Sequence, residues 1–345
     1  MINKEEFPTT TSVSTTLTTT ILDSTPSSIL SSDAGHTPTI HQQVQLVIVI
    51  PLAFTIISCN LVVLTFLIFS RKLRKPSYFF IGCMSFADFT VGCVSIWTLE
   101  YARDRAFIPC LVRMELMTSA VVASLYCMGW IAVDRYIAIL EPFKYNQKMS
   151  KFRAGVAMTV IWVAAFCIGF APLMGWDVEH STVYCSFCYI DTIEYEVFLF
   201  VMGFGVPMCT TIFVYTLVFK NARVHIKRME IVENVAHCGD NTPSSSRRQC
   251  LWRSRRWRSS RTLVLMISCF LITWCPFVVT SVIQMICDDS CDLKDIIGSY
   301  LLLLGFCNSF LNPVIYAVSN KEFKSVVHSA WKTFLLKLKC WSETS

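Results

Sequence analysis

The oxygen-bearing side chains inside apolar runs include Asp88 in MSFADFTVG, Ser124, Asn308 and Asn312. Polar groups placed in a membrane are costly and mark functional positions by default. One carboxylate among neutral oxygens suits a monovalent cation such as sodium better than a divalent ion. A protonated Asp88 serving only as a hydrogen-bonding group is the alternative. A second constellation, Asp134, Arg135 and Tyr136, closes the long apolar run in GWIAVDRYIAILEPF. Snorkelling to the headgroups would account for Arg135 but not for the acid beside it. The chain carries no HExxH, GxSxG or phosphate-binding loop, and no Cys/His cluster at zinc spacing. No enzyme chemistry is therefore expected.

The elements that must hold these residues are helices in a bilayer. Of 345 residues, 54% are hydrophobic and only 16% charged, against about 25% in a soluble chain. The mean hydropathy is +0.52. Seven apolar runs, near 44–69, 78–99, 107–139, 154–175, 195–219, 263–286 and 296–319, each reach the roughly 20 residues that cross a bilayer. The expected fold is an all-α membrane protein, a seven-transmembrane helix bundle. Residues 321–338 alternate Lys with Phe, Val, Trp and Leu at helical period. They predict a short amphipathic helix lying on the membrane surface. Cys340 beyond it is a candidate for acylation, with an unmodified thiol as the alternative. Pro207, Pro276 and Pro313 each remove a backbone donor within a span and suggest hinges.

Three domains follow. Residues 1–43 are rich in Ser and Thr and cannot bury a core, so they read as a disordered tail open to O-glycosylation. Residues 44–319 form the bundle, with a flexible basic loop at about 220–261. Residues 320–345 are the amphipathic helix and a short tail. Lys and Arg crowd the first, third and fifth loops, as in Arg71, Lys144 and the run LWRSRRWRSSR, while the alternate loops are acidic. The bias puts the N-terminus outside and the C-terminus in the cytosol, in a multi-pass cell-membrane protein. Beside a bilayer, the basic run suits anionic lipid and an acidic cytosolic partner, not nucleic acid. On the oxidising outer side, Cys287 and Cys291 can close one loop, and Cys110 can pair with Cys185 or with Cys188.

Asn60, Asp88, Asp134-Arg135-Tyr136, Trp162, Trp274-Cys275-Pro276 and Asn312-Pro313-Val314-Ile315-Tyr316 resemble, in order and in span, the rhodopsin-like (class A) G-protein-coupled receptors. The resemblance covers about residues 44–340. It implies a receptor coupled to a heterotrimeric G protein, with arrestin as a further partner. In that family Arg135 would meet the G protein, Tyr215 and Tyr316 would support the open state, and Phe270, Trp274 and Pro276 would respond to ligand. Asp88, Ser124, Asn308 and Asn312 match the family's sodium pocket, making sodium an allosteric ligand and leaving no other cofactor.

The resemblance also ranks ligands. Members that bind amines carry an Asp in span three where Met117 stands, and opsins carry a Lys where Phe306 stands. The lipid-sensing part of the lipid, adenosine and cannabinoid branch remains. Arg113 lies one helical turn before Met117 and is either an interfacial cation or the anchor of a polar head group. Around it Met114, Met117, Met202, Trp274, Phe277, Ser281 and Leu302 form the expected ligand site, suited to a fatty-acid amide or lysophospholipid. An amine or nucleoside-like ligand, or a membrane transporter, is the alternative. Many relatives pair Arg135 with an acid at the inner end of span six. Here that end reads Arg255, Arg256, Arg258 and Arg261, so basal activity is expected.

Overall fold

The computed structural model describes residues 40–100, 107–141, 143–175, 192–218, 220–221, 243–287 and 290–344. The Ser/Thr-rich tail, Cys185 and Cys188 lie outside the described residues. Among the described residues, seven helices are long and apolar enough to cross a membrane. They are α1 (Ile40–Phe69), α2 (Pro76–Glu100), α3 (Phe107–Leu140), α4 (Lys151–Gly169), α5 (Ile193–Val218), α6 (Pro243–Cys287) and α7 (Lys294–Ser319). A last helix, α8 (Lys321–Thr344), follows. Helices satisfy their own backbone groups, which is what hydrocarbon demands of a spanning segment.

Burial ranks the helices. The apolar span of α3 is 72% buried, that of α1 only 22%. The second helix packs on α1 and α3, α4 packs on α3, and α6 packs on α7. The core runs through Phe80, Leu125, Phe270, Trp274 and Tyr316. Large apolar side chains such as Phe54, Val160, Phe213 and Ile272 stay exposed, as helices apolar all round do where lipid takes the place of a core.

Local signals set the ends. Ser150 caps α4 by accepting from Arg153 N at 3.3 Å, and Thr192 caps α5 by accepting from Tyr195 N at 3.3 Å. Glu194 and Glu196 in the first turn of α5 suit the positive end of its dipole. Asn320 caps α8, its Oδ1 accepting from Glu322 N at 3.0 Å and Phe323 N at 3.2 Å.

Several boundaries differ from the sequence expectation. The fourth span stops at Gly169, and Pro172 opens a separate 3-10 turn, Pro172–Met174. The sixth begins at Pro243, so the second half of the expected flexible loop is helical. After Pro243 that stretch contains no Gly or Pro until the membrane, and Arg, Gln and Leu favour helix. The amphipathic helix runs on to Thr344, which places Cys340 within it and not after it. Two segments are π-helical, Leu199–Gly205 in α5 and Ile297–Leu301 in α7; such turns cluster at functional sites. Cys287 and Cys291 are joined in a disulfide, and Gln284 Oε1 accepts from Leu293 N at 2.9 Å across the same loop.

At its Gly169 end α4 comes against the backbone of α3. A Cβ on Gly169 would stand 2.9 Å from the backbone atoms Glu115 O and Ser119 N, and nearer still to Ser119 Oγ. Backbone cannot step aside as a side-chain tip can. Gly169→Ala is therefore expected to cost about 1–3 kcal/mol, read as a lower thermal midpoint of the solubilised protein. An unchanged midpoint would mean that the two helices separate freely at this point.

Candidate functional site

The chemistry-bearing residues fall into three layers along α3. At its Phe107 end, Arg113 is 1% exposed and its guanidinium lies over the Trp97 ring, 5.8 Å from the centroid. Such stacking stabilises a cation within an apolar site. Met114 packs against Cys110 and Leu111, and Met117 and Leu302 pack on the main core. Among the described residues, the buried Ser281 hydroxyl and the Trp274 indole N–H find no hydrogen-bond partner. Cys110 is disulfide-bonded; its expected partners lie outside the described residues.

Met202 is the most exposed of the expected ligand residues. It is 37% exposed, on the outer side of α5, where its carbonyl accepts from Tyr126 Oη at 2.8 Å. A π-helical segment, Leu199–Gly205, spans this part of α5. Phe204 is buried, its ring 5.2 Å from that of Trp274. Phe277 meets the same indole edge-on at 5.7 Å. On the opposing helix Gly305 leaves room for it: a Cβ there would lie 2.8 Å from the indole. Phe270, also buried, lies one turn before Trp274.

In the middle layer Asp88 is fully buried. Ser124 Oγ donates to Oδ1 at 2.8 Å and Asn312 Nδ2 to Oδ2 at 2.9 Å. Asn60 Nδ2 ties α1 to α7 by donating to Ser309 O at 3.1 Å. Asn308 is buried one turn before Asn312, and its Oδ1 accepts no hydrogen bond among the described residues. Tyr316 Oη donates to Met84 Sδ at 3.0 Å. Three of the four oxygen-bearing residues thus converge through hydrogen bonds, and Asn308 adds an unsatisfied oxygen close by on α7.

The third layer is the Asp134 end. Asp134 is 1% exposed and pairs with Arg135 at 2.9 Å. Its Oδ1 also accepts from Tyr145 Oη at 2.7 Å and from Ser77 Oγ at 3.2 Å. Burial, with the charge of Asp134, pushes the Tyr145 phenol up to about 12, so it remains a donor at any physiological pH. Among the described residues Asp134 is the one acid paired with Arg135. Tyr136 and Tyr215 are half-buried. Phe143, beside this end, is 98% exposed.

Residues 59–316 match the family model described as 7 transmembrane receptor (rhodopsin family). The chain is a receptor of the rhodopsin family. The receptor is a multi-pass membrane protein and not an enzyme. Its fold is similar to that of squid rhodopsin, with a TM-score of 0.72 at 20% identity over 88% of each chain. It is 34% identical to the human glucose-dependent insulinotropic receptor over 223 residues, 62% of this chain and 63% of that one. It is 26% identical to the guinea-pig (Cavia porcellus) 5-hydroxytryptamine receptor 1D over 83% of this chain and 89% of that one. It is also 26% identical to the octopamine receptor beta-2R of Chilo suppressalis over 89% and 84%. Its match to the insulinotropic receptor therefore spans just under two thirds of that protein's length.

Four contributors to the receptor's site were not legible. Tyr145 and Ser77 are ordinary loop and helix-start residues until folding sets them on Asp134. Phe204 meets Trp274 from a π-helical turn that no residue type announces. Gly305 reads as a tolerated helix glycine. Its close approach to Trp274 has a measurable consequence. Gly305→Ala is expected to lose about 1–3 kcal/mol by overpacking. In the Trp274→Phe background the clashing ring atoms are gone, so the loss should be less than additive. Thermal midpoints of the two single variants and the double variant test this; strict additivity would place the indole elsewhere.

Proposed function

We propose that this receptor sits in the plasma membrane with its N-terminus outside and binds an amphiphilic lipid, such as a fatty-acid amide or lysophospholipid, at the Arg113 end. Ligand would favour a state whose Arg135 end admits a heterotrimeric G protein, with arrestin as a further partner. The observation that carries the ligand class is Arg113, buried over Trp97 one helical turn before Met117, which packs on the same apolar core as Phe277 and Leu302. A lipid offers a polar head for the guanidinium, the Ser281 hydroxyl and the Trp274 N–H, and a chain for the apolar walls. Burying the Ser281 and Trp274 groups without a hydrogen bond costs free energy that a head group would return. The likeness to the insulinotropic receptor is in keeping with this reading, and the relatives include amine receptors as well. Met117 stands where the resemblance puts the amine counter-ion, so the lipid reading is preferred.

Asp88, Ser124, Asn308 and Asn312 would hold a sodium ion. The buried carboxylate supplies the charge, and the Asn308 oxygen is a further ligand. A cation there would favour the closed state by differential affinity. At the Arg113 end, a disulfide from Cys110 to Cys185 would pin the loop that follows α4 over the bundle.

Two measurements test the proposal. In cells expressing the receptor, a panel of fatty-acid ethanolamides, lysophospholipids, serotonin and octopamine is read through a second messenger. A lipid response is expected, and Arg113→Ala should weaken its potency about tenfold or more, the worth of one charge-assisted hydrogen bond. Amine responses with none to lipid would overturn the ligand class. Second, the purified receptor without ligand should accelerate nucleotide exchange on a G protein. Sodium in place of choline should lower that rate, and Asp88→Asn should remove the dependence. A ligand-free rate equal to that of G protein alone, with agonist still effective, would end the basal-activity reading.

A further inference from the structure

The first turn of α8 is bound to α2 beside the Asp134–Arg135 pair. Glu322 Oε1 meets Lys75 Nζ at 2.5 Å, and Glu322 Oε2 accepts from Tyr78 Oη at 2.9 Å. The Tyr78 hydroxyl also lies 3.3 Å from Asn320 Oδ1, the oxygen that caps α8. Tyr78 is 7% exposed. The next residue back, Ser77, donates to Asp134 and shares a 2.8 Å contact with Tyr145. One turn at the start of α2 therefore grips α8 with Lys75 and Tyr78 and grips the switch with Ser77. Phe323 anchors the same turn of α8, its ring 6.0 Å from that of Phe66.

The basic start of α6 offers Arg135 no acid, so a restraint on the switch has to come from another element. We propose that Glu322 and Tyr78 are positioning residues for the Asp134–Arg135 pair, and that α8, through the first turn of α2, holds the switch closed. The inference rests on the receptor reading and names its regulation. The Lys75–Glu322 pair is exposed, and exposed pairs contribute little alone. The Tyr78 phenol is buried, and losing its acceptor would strand a polar group. Burial pushes the Glu322 carboxyl up, but its bonds to Lys75 and Tyr78 outweigh this and hold it below the usual carboxylate range, with the charge of Arg135 contributing in the same sense. Glu322 thus stays ionised, and the grip is maintained at cytosolic pH. Movement of α8 on the membrane surface would pull this turn and loosen Ser77 from Asp134.

The test is ligand-free nucleotide exchange on a purified heterotrimeric G protein, at matched amounts of folded receptor. Tyr78→Phe and Glu322→Ala should each raise the rate roughly fivefold, the effect of about one net hydrogen bond on a two-state balance. The double variant, Tyr78→Phe with Glu322→Ala, removes the same contact and should raise the rate no further than either single variant. A rise in both single variants with no further rise in the double variant is the expected result. An unchanged rate in either single variant, or rises that multiply in the double variant, overturns the inference and leaves the receptor reading standing. No exchange from any form, the unaltered receptor with agonist included, overturns both.

Discussion

A carboxylate that is almost wholly excluded from water at the end of a spanning helix has to be matched by donors, because an isolated buried charge is far more costly than a paired one. Asp134 meets that demand with Arg135, Tyr145 and Ser77. These partners come from α3 itself, from the one-turn helix Tyr145–Lys148 and from the start of α2. The requirement to neutralise one acid thus fixes where two neighbouring segments sit. It also places the partly exposed Arg135 guanidinium beside that acid, at 2.9 Å.

The rest of the bundle repeats the logic with different chemistry. Asp88 draws Ser124 and Asn312 together in the middle of the core, joining α2, α3 and α7. Above it the indole of Trp274 is confined by shape: Phe204 and Phe277 bound it and Gly305 leaves the space it fills. Close-packed interiors respond to small displacements by rearranging and not by yielding smoothly. Displacement of this ring would bear on α5, α6 and α7 at once. The polar centre and the aromatic centre are complementary, since one binds helices by charge and the other only by fit.

Much of this was legible in the sequence for a plain reason. Hydrocarbon excludes unpaired backbone and unpaired charge, so a spanning chain must write its helices as long apolar runs and its special residues as exceptions to them. Asp88, Asp134 and Arg135 stand out on that ground, and all three are at centres of hydrogen bonding or ion pairing. Cys287 and Cys291 are near enough in the chain that their pairing needs no fold to bring them together. The limits of α4 and α6 were less legible, because helix continues past the membrane or stops within it according to local propensity and not to hydropathy.

By itself, then, the sequence determined the class of fold, the seven spans and the residues that carry charge into the membrane, all consequences of solvent chemistry, and the order of its motifs carried the resemblance to the family. Tertiary structure alone decided who meets whom. The meeting of Phe204 with Trp274 depends on α5 and α6 packing together. The burial of Arg113 over Trp97 depends on α2 and α3 lying side by side. The grip of Glu322 on Lys75 and Tyr78 joins residues 247 and 244 positions apart. Contacts at such separation arise from the shape of the whole bundle, and no local pattern of residues encodes them.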